Sequence, residues 1–138
     1  MSRIERLAAL LDEPLLVTSG INVRYLTGLS SSNAAVLVDS GGEATLFTDF
    51  RYAQKAKALD GIRFEQTARA VISDLATRFA GRTVGIESHV LTVASHETLK
   101  DGGVETVSTQ GLVERLRAVK EPAEIGRASC RERVSDTV

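Results

Sequence analysis

The stretch Asn22-Val-Arg-Tyr-Leu-Thr-Gly28, followed by Ser30-Ser-Ser-Asn33, two short apolar runs and Phe47-Thr-Asp-Phe-Arg-Tyr52, decides how this chain reads. Ala34 to Val38 and Ala44 to Thr48 have the apolar character of strands, and Asp39-Ser-Gly-Gly42 between them is a strong hairpin signal. Upstream, Asn22 to Leu26 reads as a helical turn closed by Gly28, a natural residue for the position just past a helix. Downstream, the apolar period becomes helical between Phe50 and Leu59, with Tyr52, Ala53, Ala56 and Leu59 on related faces. Two tyrosine-centred polar knots separated by a hairpin would make a site edge on an α/β domain.

Further out, Ser2 is expected to open a helix with Ile4, Leu7, Ala8, Leu10 and Leu11 on its apolar face and Glu5 completing a capping box. Asp12-Glu-Pro14 ends it, because proline disfavours helix in the residue before it. Leu15 to Thr18 reads as a short buried strand, Asp60-Gly61 as a helix stop and Ile62 to Gln66 as a strand. Ala70 to Phe79 is helical with Val71, Ile72, Leu75 and Phe79 inward, and Gly81 ends it. Thr83 to Glu87 is a strand buried on both faces if central. A helix over Thr92 to Leu99, a strand over Val104 to Val107 and a helix over Gln110 to Val119 complete the pattern, the last presenting Leu112, Val113, Leu116 and Val119 on one face. Strands alternating with helices after a hairpin predict a mixed sheet with helices packed on it.

At 138 residues the chain is one domain by length, with 43% hydrophobic and 25% charged residues. Seventeen basic against eighteen acidic side chains leave a net charge of −1, so there is no basic field to attract nucleic acid or anionic lipid. With no Trp, two Tyr and four Phe, base-stacking platforms are scarce. The apolar runs are too short to span a bilayer, and Met1-Ser-Arg-Ile-Glu-Arg6 lacks a signal-peptide core, so a cytoplasmic protein is the default expectation. One cysteine excludes an internal disulfide framework and a multi-cysteine metal site.

Several constellations carry chemical meaning. Asp49 reads as the cap of a helix whose first turn holds Arg51; alternatively Arg51 or Tyr52 faces a partner active site, where a guanidinium can hold a carboxylate through two parallel hydrogen bonds. Asn22 is expected to cap the short helix, and Tyr25 either packs its ring under the sheet edge or turns its hydroxyl to a substrate cleft. Glu87, His89 and His96 invite comparison with a metal site, but a surface turn followed by a helix accounts for them better. Gly41-Gly42 lies in a hairpin rather than between strand and helix, and Ser30-Ser-Ser32 has no His/Asp arrangement nearby, so neither a nucleotide loop nor a serine nucleophile is supported.

After Lys120-Glu-Pro-Ala-Glu-Ile125 the character changes, and Gly126-Arg-Ala-Ser-Cys-Arg-Glu-Arg-Val134 has no apolar period. Glu124 to Val134 resembles a translated stretch of a sequencing adapter, so residues 126–138 are read as a non-native tail and Cys130 carries no functional weight. Native sequence is expected to end near Glu124 or Ile125.

From Arg3 to about Ile125 the chain resembles the amino-terminal domain of the creatinase, prolidase and Xaa-Pro aminopeptidase family. The resemblance rests on Leu15-Leu-Val-Thr-Ser-Gly-Ile-Asn-Val-Arg-Tyr-Leu-Thr-Gly28, on Ser30-Ser-Ser-Asn-Ala-Ala-Val-Leu-Val38 and on Thr48-Asp-Phe-Arg-Tyr-Ala-Gln54. Val84-Gly-Ile-Glu-Ser-His-Val-Leu-Thr92 and the bridging helix from Leu112 to Ile125 extend it. Each piece is weak alone, and their order and spacing together are specific. The resemblance implies an α/β domain with a ribonuclease-H-like mixed β-sheet flanked by helices, over residues 1–119, with 120–125 leading into a catalytic domain. That pita-bread domain, which is expected to bind two divalent metals (Mn or Zn) through two Asp, one His and two Glu, has no matching motif in residues 1–138.

The resemblance further implies a non-catalytic domain that walls the active-site cleft and supports a homodimer, in a protein cleaving the bond before proline in peptides. Tyr25, Arg51 and Tyr52 are the cleft candidates; Asn22, Gly28, Asn33 and Asp49 are the structural motif; no catalytic or metal-binding residue is assigned. An Xaa-Pro dipeptidase or creatinase-type hydrolase domain, or a stand-alone binding or assembly module, are the alternatives. Without its catalytic domain the chain is expected to expose apolar surface and to self-associate.

Overall fold

The computed structural model describes residues 3–31, 33–59 and 61–118. The elements in order are α1 (Arg3–Ala8), β1 (Leu15–Val17), α2 (Gly20–Thr27), β2 (Ala34–Val38), β3 (Ala44–Thr48) and a 3-10 turn (Phe50–Tyr52) leading into α3 (Ala53–Lys57). Then come β4 (Arg63–Gln66), α4 (Val71–Arg78), β5 (Thr83–Glu87), α5 (Val93–Asp101), β6 (Glu105–Thr109) and α6 (Leu112–Ala118). The readings that involve Ser2, Asp60, Val119, the segment 120–125 and the tail 126–138 lie outside the described residues.

The strands form one six-stranded sheet in the order β4-β3-β2-β1-β5-β6. β2 pairs antiparallel with both β1 and β3, while β3 with β4, β1 with β5 and β5 with β6 are parallel. Five strands therefore run one way and β2 alone runs back. The fold is the mixed α/β sheet flanked by helices that the pattern predicts. The 34–38 and 44–48 hairpin has the expected bounds, its turn closed by Asp39 N–H to Glu43 carbonyl at 2.9 Å.

Side-chain alternation along the strands builds two cores. Leu15, Val17, Val36, Val38 and Leu46 face α1, α2, α3 and α6, meeting Leu7, Val23, Ala56 and Val113. Leu16, Ala35, Phe47, Val84 and Ile86 face α4 and α5, meeting Val71, Leu75 and Leu99. β5 is buried on both faces from Val84 to Glu87, which is why its sequence is an apolar run rather than an alternation.

Three expectations shift. α1 ends at Ala8, because Leu10 N–H and Leu11 N–H bond back only three residues, to Leu7 and Ala8 carbonyls; the tightened turn leaves Leu10 42% exposed while Leu11 still packs on the core. The last strand starts at Glu105 and reaches Thr109, since Val104 N–H is spent on the Leu99 carbonyl at the end of α5. Asn22 does not cap α2: Ser19 does, its hydroxyl accepting from Asn22 N–H, because the helix begins at Gly20. Gly28 closes α2 in the left-handed conformation at φ 85°, as read from the sequence.

α4 and α5 meet at a glycine. A Cβ on Gly102 would lie 2.7 Å from Ala76 Cβ and 2.8 Å from the Ala76 carbonyl oxygen. Gly102→Ala is therefore expected to destabilise by about 1–3 kcal/mol through overpacking. Leu46→Ala, at a fully buried site, is expected to cost about 2–5 kcal/mol, and Val93→Ala, at a residue 74% exposed, less than about 0.5 kcal/mol. Urea unfolding of the three variants checks the ranking.

Candidate functional site

Because five strands share one direction, their carboxyl ends lie along one rim, and α2, the 3-10 turn, α4, α5 and α6 all begin there. In open α/β sheets this rim is where ligands and partners are met. Three of its turns are capped by side chains: Ser19 for α2, Asp49 for the 3-10 turn and Thr92 for α5. Within two residues of those caps stand exposed apolar residues, Ile21 (65%), Phe50 (63%) and Val93 (74%). A cavity of about 200 Å³ opens among Thr18, Asn33, Ala35, Ile72, Leu91 and Thr92.

Asp49 organises one side of the rim. Its fully buried carboxylate accepts Arg51 N–H (2.9 Å), Arg51 Nε (3.0 Å), Arg51 Nη2 (2.8 Å) and Asn33 Nδ2 (2.6 Å). Asn33 Nδ2 also reaches the Arg69 carbonyl at 2.7 Å, and Thr48 Oγ1 donates to the Asn33 carbonyl. The Arg51 side-chain hydrogen bond, against the opposing effect of burial, holds the Asp49 carboxyl well below the usual carboxylate range and raises Arg51 in turn. Arg51 nonetheless stays 38% exposed, its guanidinium 5.4 Å from the Tyr52 ring centre.

Glu87 organises the other side. At the end of β5 and 3% exposed, its Oε1 accepts Thr18 N–H (2.8 Å) and Ser19 N–H (3.0 Å), and its Oε2 accepts Asn22 Nδ2 (2.6 Å). The same amide donates to Glu114 Oε2 at 2.8 Å, Arg117 Nη1 donates to Asn22 Oδ1 at 3.0 Å, and His89 Nε2 lies 3.0 Å from Glu114 Oε2. One buried side chain of α2 thereby joins β5 to α6. Burial opposes ionisation of Glu114, but hydrogen bonds from His89 and Asn22 outweigh it and lower its pKa.

The three cleft candidates are not brought together. Arg51 and Tyr52 share the 3-10 turn, whereas Tyr25 packs beneath the Arg3 guanidinium, 4.1 Å from its ring centre, and gives its hydroxyl to the Leu116 carbonyl at 3.3 Å. Glu87, His89 and His96 also part: His96 Nε2 meets Thr106 Oγ1 at 2.9 Å. Among the described residues no three His, Cys, Asp or Glu side chains are grouped to hold a metal ion. Sequence reasoning missed the joint role of Glu87, Glu114 and Arg117. Its one signal was a carboxylate closing the apolar strand Val84-Gly-Ile-Glu87.

With sheet order and rim in place, the comparison with known proteins is direct. Residues 3–119 match the model of the Creatinase/Prolidase N-terminal domain, and the chain belongs to that family. It is 32% identical over 117 residues to the uncharacterised peptidase YqhT of Bacillus subtilis (strain 168), a match covering 80% of this chain and 33% of YqhT. The chain thus spans about a third of the length of that relative. The N-terminal domain of the cytoplasmic peptidase PepQ from Mycobacterium tuberculosis H37Rv is similar at 36% identity and TM-score 0.72, covering 83% of this chain and 97% of that one. An Xaa-Pro dipeptidase from Bacillus anthracis superposes with TM-score 0.79 at 31% identity, covering 90% of this chain but 37% of that one.

Glu87→Ala would leave two backbone N–H groups and an amide without their acceptor, and is expected to cost about 2–4 kcal/mol in urea unfolding. Asp49 and Glu114 both have folded-state pKa values below their unfolded ones. Their contribution is therefore complete above the ordinary carboxylate range, about pH 4, and fades as pH falls through the lower folded-state values. Thermal melts from pH 7 to pH 2 should show a falling Tm on the acid side, with a shallower fall in Asp49→Asn.

Proposed function

We propose that the chain is the non-catalytic amino-terminal domain of an Xaa-Pro aminopeptidase that resembles aminopeptidase P, walling the active-site cleft and supporting a dimer in the cytoplasm. The observation that carries this reading is the turn Phe50–Tyr52 at the carboxyl rim, where a guanidinium fixed by a buried carboxylate remains accessible beside an exposed phenylalanine. Asp49 takes the Nε and Nη2 donors of Arg51, so a peptide carboxylate or carbonyl would be met from the Nη1 side, in a fixed direction. Tyr52 lies beneath that guanidinium, and the exposed Phe50 precedes Arg51 in the same turn, which suits the apolar ring of a proline-containing peptide. Tyr25 belongs to the same reading only through its hold on α6.

The chemistry belongs to another part of the protein. Two divalent metals (Mn or Zn), held by a catalytic domain, would activate the water that attacks the bond before proline. The carboxylates of Asp49 and Glu87 do not suit them, being committed through both oxygens to N–H donors of this domain, and Glu114 Oε2 is taken by the Asn22 amide. The Xaa-Pro dipeptidase reading stands beside the aminopeptidase one on the Bacillus anthracis likeness.

The 138-residue chain is expected to take up no stoichiometric Mn or Zn by calorimetry and to hydrolyse no Xaa-Pro peptide. Peptidase turnover by the purified chain would sink the reading. So would a gene that, re-sequenced through codon 125, encodes no downstream Asp/Asp/His/Glu/Glu metal set.

A further inference from the structure

The two faces of the sheet are unequally covered. Helices α1, α2, α3 and α6 pack on one face, and only α4 and α5 on the other. Two helices about 10 Å apart shelter about four strands spaced about 4.8 Å, so part of the second face lies beyond them. Strand register shows which part. Leu37, Thr45 and Arg63 stand level across β2, β3 and β4, on the face that carries Phe47. Asp39 and Glu43 follow one step further out, at the hairpin end. A cavity of about 390 Å³ opens over these residues, walled by Phe79 and Arg82 where the chain leaves α4, and its size suits a small ligand. It lies at the rim opposite the Phe50–Tyr52 turn.

The charges around this cavity are segregated. Arg78 is fully committed, its Nε to Asp74 (2.9 Å), its Nη1 to Glu65 (2.8 Å) and its Nη2 to the Gln66 carbonyl (3.0 Å). The Arg63 and Arg82 guanidiniums make no hydrogen bond or ion pair with any described residue; Arg82 stands 5.3 Å from the Phe79 ring centre. At the hairpin end, Asp39 Oδ1 is filled by the N–H groups of Gly41 (2.9 Å) and Glu43 (3.1 Å). Asp39 Oδ2 and the Glu43 carboxylate are left open among the described residues. We propose that the cavity binds an apolar dipeptide with free ends, its carboxylate on Arg63 and Arg82 and its ammonium on Asp39 and Glu43. Its side chains would rest on the floor of Leu37, Phe47 and Phe79. A purely anionic ligand meets Asp39 and Glu43 unfavourably, and a purely cationic one meets Arg63 and Arg82, so the mixed wall selects one charge of each sign. Glu43 and Arg63 are one strand and two residues apart, about 8 Å between Cα atoms. Two extended residues span about 7 Å, whereas both charges of a free amino acid flank a single carbon. The cavity is separate from the Arg51 turn, so its test is independent of the peptidase reading.

Alanyl-phenylalanine titrated into the isotopically labelled 138-residue chain, followed by amide chemical shifts, is the direct test. Binding should saturate with a dissociation constant below about 1 mM. The shifts should centre on Leu37, Thr45, Arg63 and Arg82. Acetylating the amino end or amidating the carboxyl end should each weaken binding at least about tenfold, because a charge-assisted hydrogen bond is lost. Free phenylalanine should also bind at least about tenfold more weakly, since it cannot reach both walls. Arg63→Gln and Glu43→Gln, both at exposed positions, should keep the parent's circular dichroism. Arg63→Gln should lose the discrimination against the amidated peptide and keep that against the acetylated one; Glu43→Gln should do the reverse. Failure to saturate by about 10 mM, equal affinity for the blocked peptides, or shifts centred on the Phe50–Tyr52 turn overturns the proposal.

Discussion

A carboxylate buried at the end of the central parallel strand pair cannot be left without donors, and Glu87 finds its donors in three places at once. Two are backbone N–H groups just past β1, and the third is the amide of Asn22 in α2. The cost of burying a charge is offset only because those groups come preassembled by the parallel pairing of β1 with β5. The same amide then reaches Glu114, which brings α6 against the domain. Strand register, the start of α2 and the seat of α6 are thereby one problem with one solution.

This constraint accounts for the shape of the rim. With five strands aligned, the turns that follow them must all open on the same side, and each helix begins with unsatisfied N–H groups. Ser19, Asp49 and Thr92 satisfy some of these locally, and a residue one or two places on points outward. Ile21, Phe50 and Val93 occupy such places. Arg51 is held by Asp49 so firmly that its direction is fixed, yet it remains solvent-facing. On the proposed reading, this fixed cation and the exposed apolar groups form part of the cleft wall.

Much of this was legible beforehand. The hairpin of β2 and β3, the both-face burial of β5 and the glycine closing α2 follow from short-range rules, and they lie where the pattern puts them. The Asp49–Arg51 cap is likewise a two-residue relationship. Less was legible of α1, whose period continues on paper through Leu11 although the backbone tightens after Ala8. Asn22 was misread because a good capping residue sat near a helix start, while Ser19, three residues earlier, took the role. The partnership of Glu87 with Glu114 spans long stretches of chain, and no local rule connects them.

The sequence by itself determined which segments are strands and helices, the family to which the domain belongs, and Asp49, Arg51 and Tyr52 as a polar knot just after the hairpin. Those are matters of periodicity, turn chemistry and local spacing. Only the tertiary structure decided that Tyr25 sits with α1 and α6 rather than with Arg51. It alone showed Asn22 as a buried bridge between β5 and α6. These depend on sheet order and on the phase of backbone hydrogen bonding, which distant segments set together and neither encodes alone.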